Sequence, residues 1–392
     1  MSPLDVAVVG GGIVGLATAY RIRQQRPAAG VVVFEREPAV GRHQSSHNSG
    51  VLHSGIYYPP GSRKAVLCRQ GKAAMEAFAA EHGIPVERNG KLVVAVDERE
   101  LPGLDVLAAR AEANGVAGAR VVGPAELREI EPHVRGLRGL HVPSTAVIDF
   151  GAVCHALAAG QDVRTGTEVT ELAGGPRSVR VVTNAGELDA RVAVVCAGLW
   201  SSQLARRAGE SPSVRIVPFR GSWVALRPSG AALVRGNVYP VPDPELPFLG
   251  VHFTKRIDGT VWAGPNATLS FAPASVLRDA LGFPGSWRLA RRAARTGMRE
   301  LWLARRRVAL RAFRRYLPEL VDADVDWSNR PFGVRAQAVA RDGSLVDDFV
   351  IEGSGRVVSV LNAPSPAATA ALAIGEVVAG EVLARLDVSS SG

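Results

Sequence analysis

The apolar positions near the start of the chain predict a strand, a helix and a second strand, in that order. Residues 5–9 and 31–34 are short apolar runs of strand length, and residues 13–25 between them have helical spacing. A polar loop over residues 36–54 follows, without a further repeat of strand and helix. The chain therefore begins with one strand–helix–strand unit and then departs from that pattern.

The turn between the first strand and the helix carries a glycine motif that is typical of dinucleotide sites. Gly10, Gly12 and Gly15 fit G-x-G-x-x-G. The first glycine makes the tight turn, the second lets a pyrophosphate approach the backbone, and the third lets the helix pack on the strand. Glu35 lies 20 residues beyond Gly15, where a carboxylate accepts hydrogen bonds from an unphosphorylated ribose and so disfavours NADP. The start of the helix adds about half a positive charge for the diphosphate.

The remainder of the chain favours FAD over NAD as the dinucleotide. Strand-like runs return only far along the chain, at residues 178–183, 187–190 and 191–196. The small residues Ala197 and Gly198 follow the last run and permit a ligand to approach the backbone closely. We predict cofactor contacts at Val169, Ala197 and Gly198, in a nucleotide domain that a second domain interrupts.

The carboxyl-terminal part of the chain repeats the sequence of strand, turn and helix. A strand is predicted at residues 356–361, and an apolar helix then runs to about residue 386. Ser365 is placed to cap this helix, and Pro366 fits its first position. The positive end of the helix would face the pyrimidine side of a flavin; the alternative is an ordinary capped helix. The predicted cofactor contacts at this end are Pro364 and Ala367.

Positive charge is concentrated in one segment of the chain. The 392 residues carry a net charge of +9, and residues 286–316 contain eleven arginines against one acid, Glu300. The segment has helical spacing, and Gly297 is a candidate kink or break. A solvated helix face or peripheral docking on anionic lipid explains such a segment. Nucleic-acid binding is not expected, because no nucleic-acid-binding motif accompanies it.

The cysteines and the lack of long apolar runs limit where in the cell this protein is expected. Cys68, Cys154 and Cys196 stand far apart, which excludes a disulfide scaffold and suits a reducing cytosol. No metal-ligand cluster and no secretory signal is apparent in the sequence. No apolar run reaches the roughly 18 residues of a transmembrane helix. We expect a cytoplasmic protein without a metal, peripheral at the inner face of the membrane if the basic segment binds lipid.

Several segments carry a resemblance to a known family. They are the Gly10–Glu35 motif and residues 43–58, 60–65, 218–221, 239–243, 247–254, 334–338 and 362–369. Across them the chain resembles the L-2-hydroxyglutarate dehydrogenase/oxidase family, which belongs to the D-amino-acid-oxidase-like flavoproteins. The stretches at residues 47–58 and 362–369 are the most specific. The similarity spans nearly the whole chain.

The resemblance implies an α/β architecture of two domains. One is a discontinuous Rossmann-type domain that binds FAD non-covalently, and the other is a mixed-sheet α+β substrate domain. The FAD-binding domain is predicted at residues 1–85, 145–215 and 335–392. The substrate domain is predicted at residues 86–144 and 216–334, including the basic helical segment 286–316.

Oxidation of a 2-hydroxy acid through a flavin needs a base for the hydroxyl proton, with hydride passing to flavin N5. His53 and His252 are the candidate bases, because a histidine pKa near 6.5 suits neutral pH; a buried histidine held by backbone bonds is the alternative for each. In the resembled family the loop before His53 passes over the FAD. Asn48 and Ser49 are therefore predicted to bind the flavin or its diphosphate, and Arg42 to neutralise the diphosphate.

A 2-hydroxy acid also needs cations for its carboxylate. Arg220 and Arg335 are isolated cations in apolar or turn contexts, where a charge requires an anionic partner. A structural ion pair is the alternative for each. Tyr57 and Tyr239 are predicted to line the same pocket.

The predicted function is FAD-dependent oxidation of L-2-hydroxyglutarate, or of a close 2-hydroxy acid, to the 2-oxo acid. Oxygen or a quinone would accept the electrons. Two alternatives remain open within the superfamily: an amine or amino-acid oxidase, and a tailoring oxidase of specialised metabolism. A third is a non-catalytic flavoprotein whose basic helix docks on a membrane or nucleic acid.

Overall fold

A computed structural model describes residues 4–243, 250–303 and 305–388 of the chain. The α-helices in these residues are α1 (Ile13–Gln25), α2 (Arg63–Glu81), α3 (Leu101–Ala113), α4 (Pro124–Ile130), α5 (Phe150–Ala158), α6 (Ser201–Arg207), α7 (Pro228–Ala231), α8 (Ala274–Leu281), α9 (Pro284–Leu303), α10 (Arg306–Phe313) and α11 (Ala367–Val388). Single-turn 3₁₀ helices cover Glu98–Glu100, Gly198–Trp200 and Asp322–Asp324.

The strands in the described residues are β1 (Leu4–Val9), β2 (Val31–Phe34), β3 (Val51–Leu52), β4 (Val86–Glu87), β5 (Lys91–Ala95), β6 (Arg120–Val122), β7 (Arg138–Val142), β8 (Ala146–Ile148), β9 (Asp162–Arg164), β10 (Val169–Gly174), β11 (Val179–Thr183), β12 (Gly186–Val195), β13 (Val214–Leu226), β14 (Asn237–Pro240), β15 (His252–Lys255), β16 (Val261–Leu269), β17 (Val325–Asp326), β18 (Phe332–Ala340), β19 (Val350–Glu352) and β20 (Val357–Asn362).

The first sheet is built around parallel strands in the order β20, β12, β1, β2 and β9. The strand β19 pairs antiparallel with β20, and the β10–β11 hairpin pairs with the first half of β12. Within β1, Val9 lies opposite Val195 on one side and Phe34 on the other. The predicted strand–helix–strand order is confirmed, while the two runs predicted at residues 187–196 form one strand, β12. The α/β fold class is confirmed as well.

Helix α11 packs between α1 and α2 so closely that glycine is needed at both contacts. A Cβ atom at Gly375 of α11 would lie 2.7 Å from the carbonyl carbon of Ala17 in α1. A Cβ atom at Gly71 of α2 would lie 2.4 Å from the Cα atom of Ala370 in α11. These contacts bury the apolar helix against the core of the first sheet.

Within the described residues, α11 is also the one helix whose length and composition would allow it to cross a membrane. The expectation that no segment is apolar enough is therefore wrong for this helix. It counted uninterrupted apolar runs, whereas Glu376 and Glu381 interrupt a helix that is apolar on average. Inside the protein, 56% of its most apolar window is buried, which is the environment of a core helix.

The second sheet is mixed. Strand β13 is bordered by β17 and β18 on one side and by β16 on the other, and β15, β14, β5, β7 and β6 follow. The β14–β5 pair is parallel. Val93 of β5 packs with Leu104 of α3 on one face, while Val94 belongs to the core with Phe313 of α10 on the other. A small antiparallel sheet of β3, β8 and β4 carries the chain into His53.

The strands of the first sheet fall inside the three segments predicted for the FAD-binding domain. Those of the second sheet lie between residues 91 and 340. Strands β13 and β18 extend across two of the predicted boundaries. The division at those boundaries stays a prediction.

The basic segment forms two helices, α9 and α10, instead of one. Gly297 lies inside α9 and neither ends nor splits it. A Cβ atom there would meet nothing within 4 Å, so the glycine makes no contact that would impose a bend. The break comes between Leu303 and Arg306.

Candidate active site

A cavity of about 630 Å³ joins the start of α1 to the second sheet. Its walls come from both sheets, from the loop after β2 and from the segment before α11. The predicted site residues that line it are Gly10, Gly12, Glu35, Arg42, Asn48, Ser49, His53, Tyr57, Val169, Ala197, Gly198, Tyr239, His252, Arg335, Pro364 and Ala367. Gly15 and Arg220, described below, do not line it.

Two positions of the glycine motif, one in the turn before α1 and one in its first turn, accept only glycine. Gly10 has a φ angle of 113°, and a Cβ atom on it would lie 2.4 Å from the carbonyl oxygen of Cys196. A Cβ atom on Gly15 would lie 2.0 Å from the carbonyl oxygen of Gly10. Gly15 thus sets the close contact between helix and strand.

The first turn of α1 offers backbone N–H groups to the cavity. Gly12 is the N-cap residue and supplies no side-chain cap. The hydroxyl of Ser45 accepts a hydrogen bond from the N–H of Ile13 at 2.9 Å. The sequence reading missed this contact of Ser45. Since Ser45 takes the N–H of Ile13, a phosphate group would bind the other N–H groups of this helix start.

Glu35 ends β2 and is held by the backbone. One carboxylate oxygen accepts a hydrogen bond from the N–H of Gly11 at 2.7 Å, and the other accepts one from the N–H of Glu37 at 2.8 Å. Each carboxylate oxygen has a further lone pair that a ribose hydroxyl can use. Nearby, the guanidinium of Arg36 lies 4.1 Å from the ring of Trp200, and both residues line the same part of the cavity.

The loop after β2 is held by its own side chains. The amide of Asn48 donates hydrogen bonds to the carbonyls of Gln44 and Ser45, and its oxygen accepts one from the N–H of Gly50. The side-chain nitrogen and oxygen of Asn48, which were predicted to bind the cofactor, therefore form hydrogen bonds that hold the loop in shape. Ser49 forms a side-chain hydrogen bond with Tyr239, and Arg42 is exposed at the cavity wall.

The segment before α11 closes the other end of the cofactor region. Pro364 and Ala367 line the cavity, and α11 begins at Ala367, one residue later than predicted. The N–H of Ala370 bonds to the carbonyl of Pro366, so Pro366 precedes the helix as its cap. The helix start therefore faces the cavity, as a flavin site requires.

Both candidate bases lie in the cavity wall and are neutral at neutral pH. Burial lowers the pKa of His252 to about 3, and the charges of Lys91 and Arg335 act in the same direction. Its Nδ1 lies 2.9 Å from the carbonyl oxygen of Gly250. Because a carbonyl only accepts, Nδ1 carries the proton and Nε2 keeps the lone pair. Burial likewise lowers the pKa of His53, helped by Lys91 and His252.

Two tyrosines and a buried lysine stand beside the histidines. Tyr239 stacks on the His252 ring with centroids 4.0 Å apart. The ammonium of Lys91 lies 4.1 Å from the Tyr239 ring and 5.1 Å from the Tyr57 ring. Burial lowers the pKa of Lys91 to about 7. A cation with aromatic faces for neighbours is thus placed behind this wall of the cavity.

Arg335 lines the cavity, but Arg220 does not. Both lie in the ladder between β13 and β18, where Arg335 pairs with Phe219 and Arg220 with Val334. Because neighbouring strand residues point to opposite faces, the two arginines are on opposite sides of the sheet. Arg220 is exposed, and its guanidinium lies 3.9 Å from the Phe332 ring. The prediction that Arg220 binds substrate is therefore wrong.

Sequence reasoning assigned no role to four further residues near the substrate end. Lys64 is buried and pairs with Asp347 at 2.8 Å. Arg110 and Trp223 line the cavity, and Lys91 lies behind it. A lysine inside an apolar strand run was the available signal for Lys91, whereas the helical position of Arg110 looks like any exposed arginine.

The residues present fit a flavin dinucleotide. The glycine turn is a cradle that Cβ atoms would fill, and the starts of α1 and α11 both face the cavity. Three polar atoms of cavity residues are buried without a hydrogen-bond partner: Nδ1 of His53, the hydroxyl of Tyr57 and Nε1 of Trp223. Buried polar atoms of this kind call for a partner from a bound molecule.

Residues 5–381 match the family described as FAD dependent oxidoreductase. The chain belongs to this FAD-dependent oxidoreductase family. The predictions of an FAD cofactor and of an enzyme that uses it are thereby confirmed. Solved structures of similar fold include L-α-glycerophosphate oxidase from Mycoplasma pneumoniae, with a TM-score of 0.77, 24% identity and coverage of 99% of this chain and 95% of that one.

Glycine oxidase from Geobacillus kaustophilus is a second structure of this fold, with a TM-score of 0.70, 21% identity and coverage of 97% and 95% of the two chains. At these identities the likeness concerns the fold alone.

Curated relatives of this FAD-dependent oxidoreductase are closer in sequence. Mitochondrial L-2-hydroxyglutarate dehydrogenase of Nematostella vectensis is 43% identical, over 97% of this chain and 91% of that protein. The human mitochondrial protein of the same name is 39% identical, over 99% and 90%. L-2-hydroxyglutarate dehydrogenase of Indibacter alkaliphilus is 39% identical, over 97% and 99%. The resemblance stated from the sequence motifs is confirmed.

The prediction of a cytoplasmic location is contradicted by these relatives, since the Nematostella and human proteins are both named as mitochondrial. It rested on unpaired cysteines. Such cysteines indicate a reducing environment and do not distinguish one reducing compartment from another.

Proposed function

We propose that this chain oxidises L-2-hydroxyglutarate at C2 to the 2-oxo acid. The observation that carries the proposal is the shared cavity. One end has the glycine turn and helix starts suited to a dinucleotide, and the other has His252, Tyr239 and Arg335. A hydroxyl group and a carboxylate are what a neutral histidine and an arginine would bind together. The relatives named L-2-hydroxyglutarate dehydrogenase support this substrate.

His252 is the base in this proposal. Its Nδ1–H donates to the Gly250 carbonyl, which fixes the tautomer and leaves Nε2 to accept the hydroxyl proton. The stack on Tyr239 holds the ring in place. The low pKa keeps the imidazole neutral before the proton arrives. His53 follows the loop on the cofactor side and contributes to the polar wall there.

Arg335 holds the C1 carboxylate in this proposal. It lines the cavity and lies close enough to His252 for its charge to lower the pKa of that residue. An anchored carboxylate would place the adjacent C2 hydroxyl near the base. Arg335→Ala is expected to raise KM by at least about tenfold while FAD stays bound. Arg220→Gln is the matched control; kinetics unchanged in Arg335→Ala would remove that residue from the site.

Gly10, Gly15, Glu35 and the starts of α1 and α11 would hold the cofactor. FAD supplies a hydride acceptor when bound. The chain's own residues orient the substrate, accept the hydroxyl proton at His252 Nε2 and shield the reacting region from water.

The test of this function is product formation with a panel of substrates. Holoenzyme with a two-electron dye should convert L-2-hydroxyglutarate to 2-oxoglutarate, with one molecule of dye reduced for each molecule of product formed. D-2-hydroxyglutarate, L-glutamate, glycine and glycerol 3-phosphate should give at most about 1% of that kcat/KM. Preferred turnover of glutamate or glycine would overturn the proposal in favour of an amino-acid oxidase.

We also propose that α9 docks this protein on an anionic lipid surface. Trp287, Met298 and Trp302 fall on one helical face by their spacing, and each is more than half exposed. Arg291, also exposed, falls on the same face. Large apolar side chains beside arginines are typical of helices that lie in the interface of a membrane. Docking would bring the protein close to a membrane quinone as electron acceptor, with oxygen as the alternative.

Vesicle sedimentation tests this contact. The holoenzyme should sediment with vesicles of about 30% phosphatidylglycerol, release with rising salt and stay free of pure phosphatidylcholine vesicles. The double variant Trp287→Ser and Trp302→Ser should lose binding, whereas Val121→Ser, an exposed apolar residue on β6, should keep it. Equal recovery with both vesicle types would overturn the contact.

A further inference from the structure

Arg110 is a cation of the cavity wall that the reaction described above does not use. It lies in α3, and one of its guanidinium nitrogens, Nη1, donates a hydrogen bond to the carbonyl of Tyr57 at 2.9 Å. Leu107, one turn earlier, also lines the cavity, so this face of α3 is turned towards it. Since a guanidinium has five N–H donors, most of those of Arg110 remain for another group.

Arg110 differs from the other cations at this end in its lack of a carboxylate. Lys64 is neutralised by Asp347 at 2.8 Å, and the charge of Glu300 acts on Arg335. Among the residues that the structure describes, no carboxylate forms an ion pair with Arg110. Within the described residues, this half-buried guanidinium beside a ligand cavity is therefore left without a counter-charge.

Two buried tyrosines, Tyr57 and Tyr239, line the cavity together with Arg110 and Arg335. Arg110 donates to the backbone carbonyl of Tyr57. Burial raises the pKa of both phenols; the Tyr239 phenol adds to the rise for Tyr57, and the charge of Arg335 opposes the rise for Tyr239. The hydroxyl of Tyr57 is buried without a partner. The cavity lining thus holds two arginines and a buried O–H donor that has no partner within the described residues.

We propose that Arg110 binds the second carboxylate of the substrate, the one remote from C2. The inference rests on the proposed function and adds a residue that selects for dicarboxylic 2-hydroxy acids. A monocarboxylate needs one cation, whereas a dicarboxylate needs a cation at each end. Arg110 can bind that carboxylate with two parallel N–H bonds, which gives geometric selectivity.

Lys91 is the competing cation for this role, and its position argues against it. It does not line the cavity, and its ammonium lies over the rings of Tyr57 and Tyr239. A carboxylate would have to displace those rings to reach it. Arg110, in contrast, lines the cavity.

Selectivity between two substrates tests the inference. L-2-Hydroxyglutarate and L-2-hydroxypentanoate have the same five-carbon chain, and a methyl group replaces the remote carboxylate in the second. Arg110→Gln should lower kcat/KM for hydroxyglutarate about 100-fold, mainly through KM, and change that for hydroxypentanoate less than about threefold. Gln keeps an N–H donor for the Tyr57 carbonyl. The control is Arg220→Gln, which removes an arginine outside the cavity and should preserve the selectivity of the parent.

Binding of inert analogues gives a second readout that needs no turnover. Titration followed by the flavin spectrum should show that glutarate binds the unchanged holoenzyme far more tightly than pentanoate does. Arg110→Gln should remove that difference in affinity. Arg110→Lys, which retains the charge, should lose about tenfold in glutarate affinity, and it serves if the Gln variant fails to fold.

The outcomes separate the two proposals. If the unchanged enzyme does not oxidise L-2-hydroxyglutarate, the proposed function fails and this inference fails with it. If it does, and the Arg110 variants keep the dicarboxylate preference, only the inference is overturned. An equal loss for both substrates would assign Arg110 to holding the Tyr57 backbone and would also overturn it.

Discussion

At the scale of single residues, burial disfavours the charged forms of the basic groups around the cavity. Burial lowers the pKa of both histidines and of Lys91. Desolvation keeps both imidazoles unprotonated, so that each can accept a proton, while the lower pKa also makes each a weaker base. Nδ1 of His252 donates to a carbonyl, whereas Nδ1 of His53 has no partner in the part of the chain that the structure describes. The two histidines are therefore not equivalent.

His252→Gln is expected to lower kcat about 100-fold or more, because the hydroxyl proton loses its acceptor. His53→Gln should lower kcat less than about tenfold, since it removes a wall residue and leaves the base. Rapid-reaction measurement of flavin reduction checks both variants. The reverse ranking would move the base to His53.

Lys91→Met is expected to shift the acid limb of the pH profile. The charge of Lys91 lowers the pKa of His53 and His252, so its removal favours the imidazolium and raises both values. The acid limb of kcat/KM should therefore move to higher pH. The groups that face Lys91 are Cys68, His53, His252, Tyr57 and Tyr239.

Arg220→Gln provides the control for the pH profile, because that arginine is exposed and outside the cavity. Lys91→Arg should keep the limb near its original position, since it preserves a positive charge. A profile that stays in place in Lys91→Met would show that Lys91 acts on packing alone.

Residue types and spacing predicted most of the candidate site residues that line the cavity. The glycines, Glu35 and the two histidines have side chains or backbone needs that identify them in the sequence. Arg220 could not be judged in this way, because the face of β13 on which it lies depends on the pairing with β18. Arg110 was missed since a helical arginine has no distinguishing sequence signal, and only the docking of α3 turns it towards the cavity.

At the scale of elements, the site depends on how closely α1 approaches β1. The Gly15 contact permits this approach, with no room for one more carbon atom. The extents of α1, β2 and β20 were predictable within one residue, because their apolar periods and terminal residues agree. The break between α9 and α10 was not, since Gly297 makes no contact that would turn it into a hinge.

Gly15→Ala is expected to lose FAD, because its Cβ would lie 2.0 Å from the Gly10 carbonyl oxygen and push the helix from the strand. The flavin content of purified protein measures the effect, and affinity should fall at least about 100-fold. Gly297→Ala is the matched control, since it adds a methyl group where nothing lies within 4 Å. Full flavin content in Gly15→Ala would contradict the packing argument.

At the scale of the whole molecule, the site is assembled from distant parts of the chain. Strands and loops from the beginning, middle and end of the sequence meet around one cavity. The sequence indicated this discontinuity through its late-returning strands. It could not predict the order of strands in the second sheet, because antiparallel pairing between remote segments leaves no local signal.

Positive charge occurs in two separate places, the basic helical segment at the surface and the wall of the cavity. Residues 286–316, with eleven arginines against Glu300, account for the net positive charge, while the cavity places single cations at separate points of its wall. The surface charge bears on where the protein sits, and the cavity charges bear on which anion it takes.

The central claim is that one cavity brings the dinucleotide and a 2-hydroxy dicarboxylate together. Anaerobic titration of the holoenzyme with L-2-hydroxyglutarate tests it most directly. One equivalent should abolish the oxidised-flavin absorbance and yield one equivalent of 2-oxoglutarate, with no change on adding the D-enantiomer. Flavin that remains oxidised with L-2-hydroxyglutarate, in protein that dithionite does reduce, would contradict the claim.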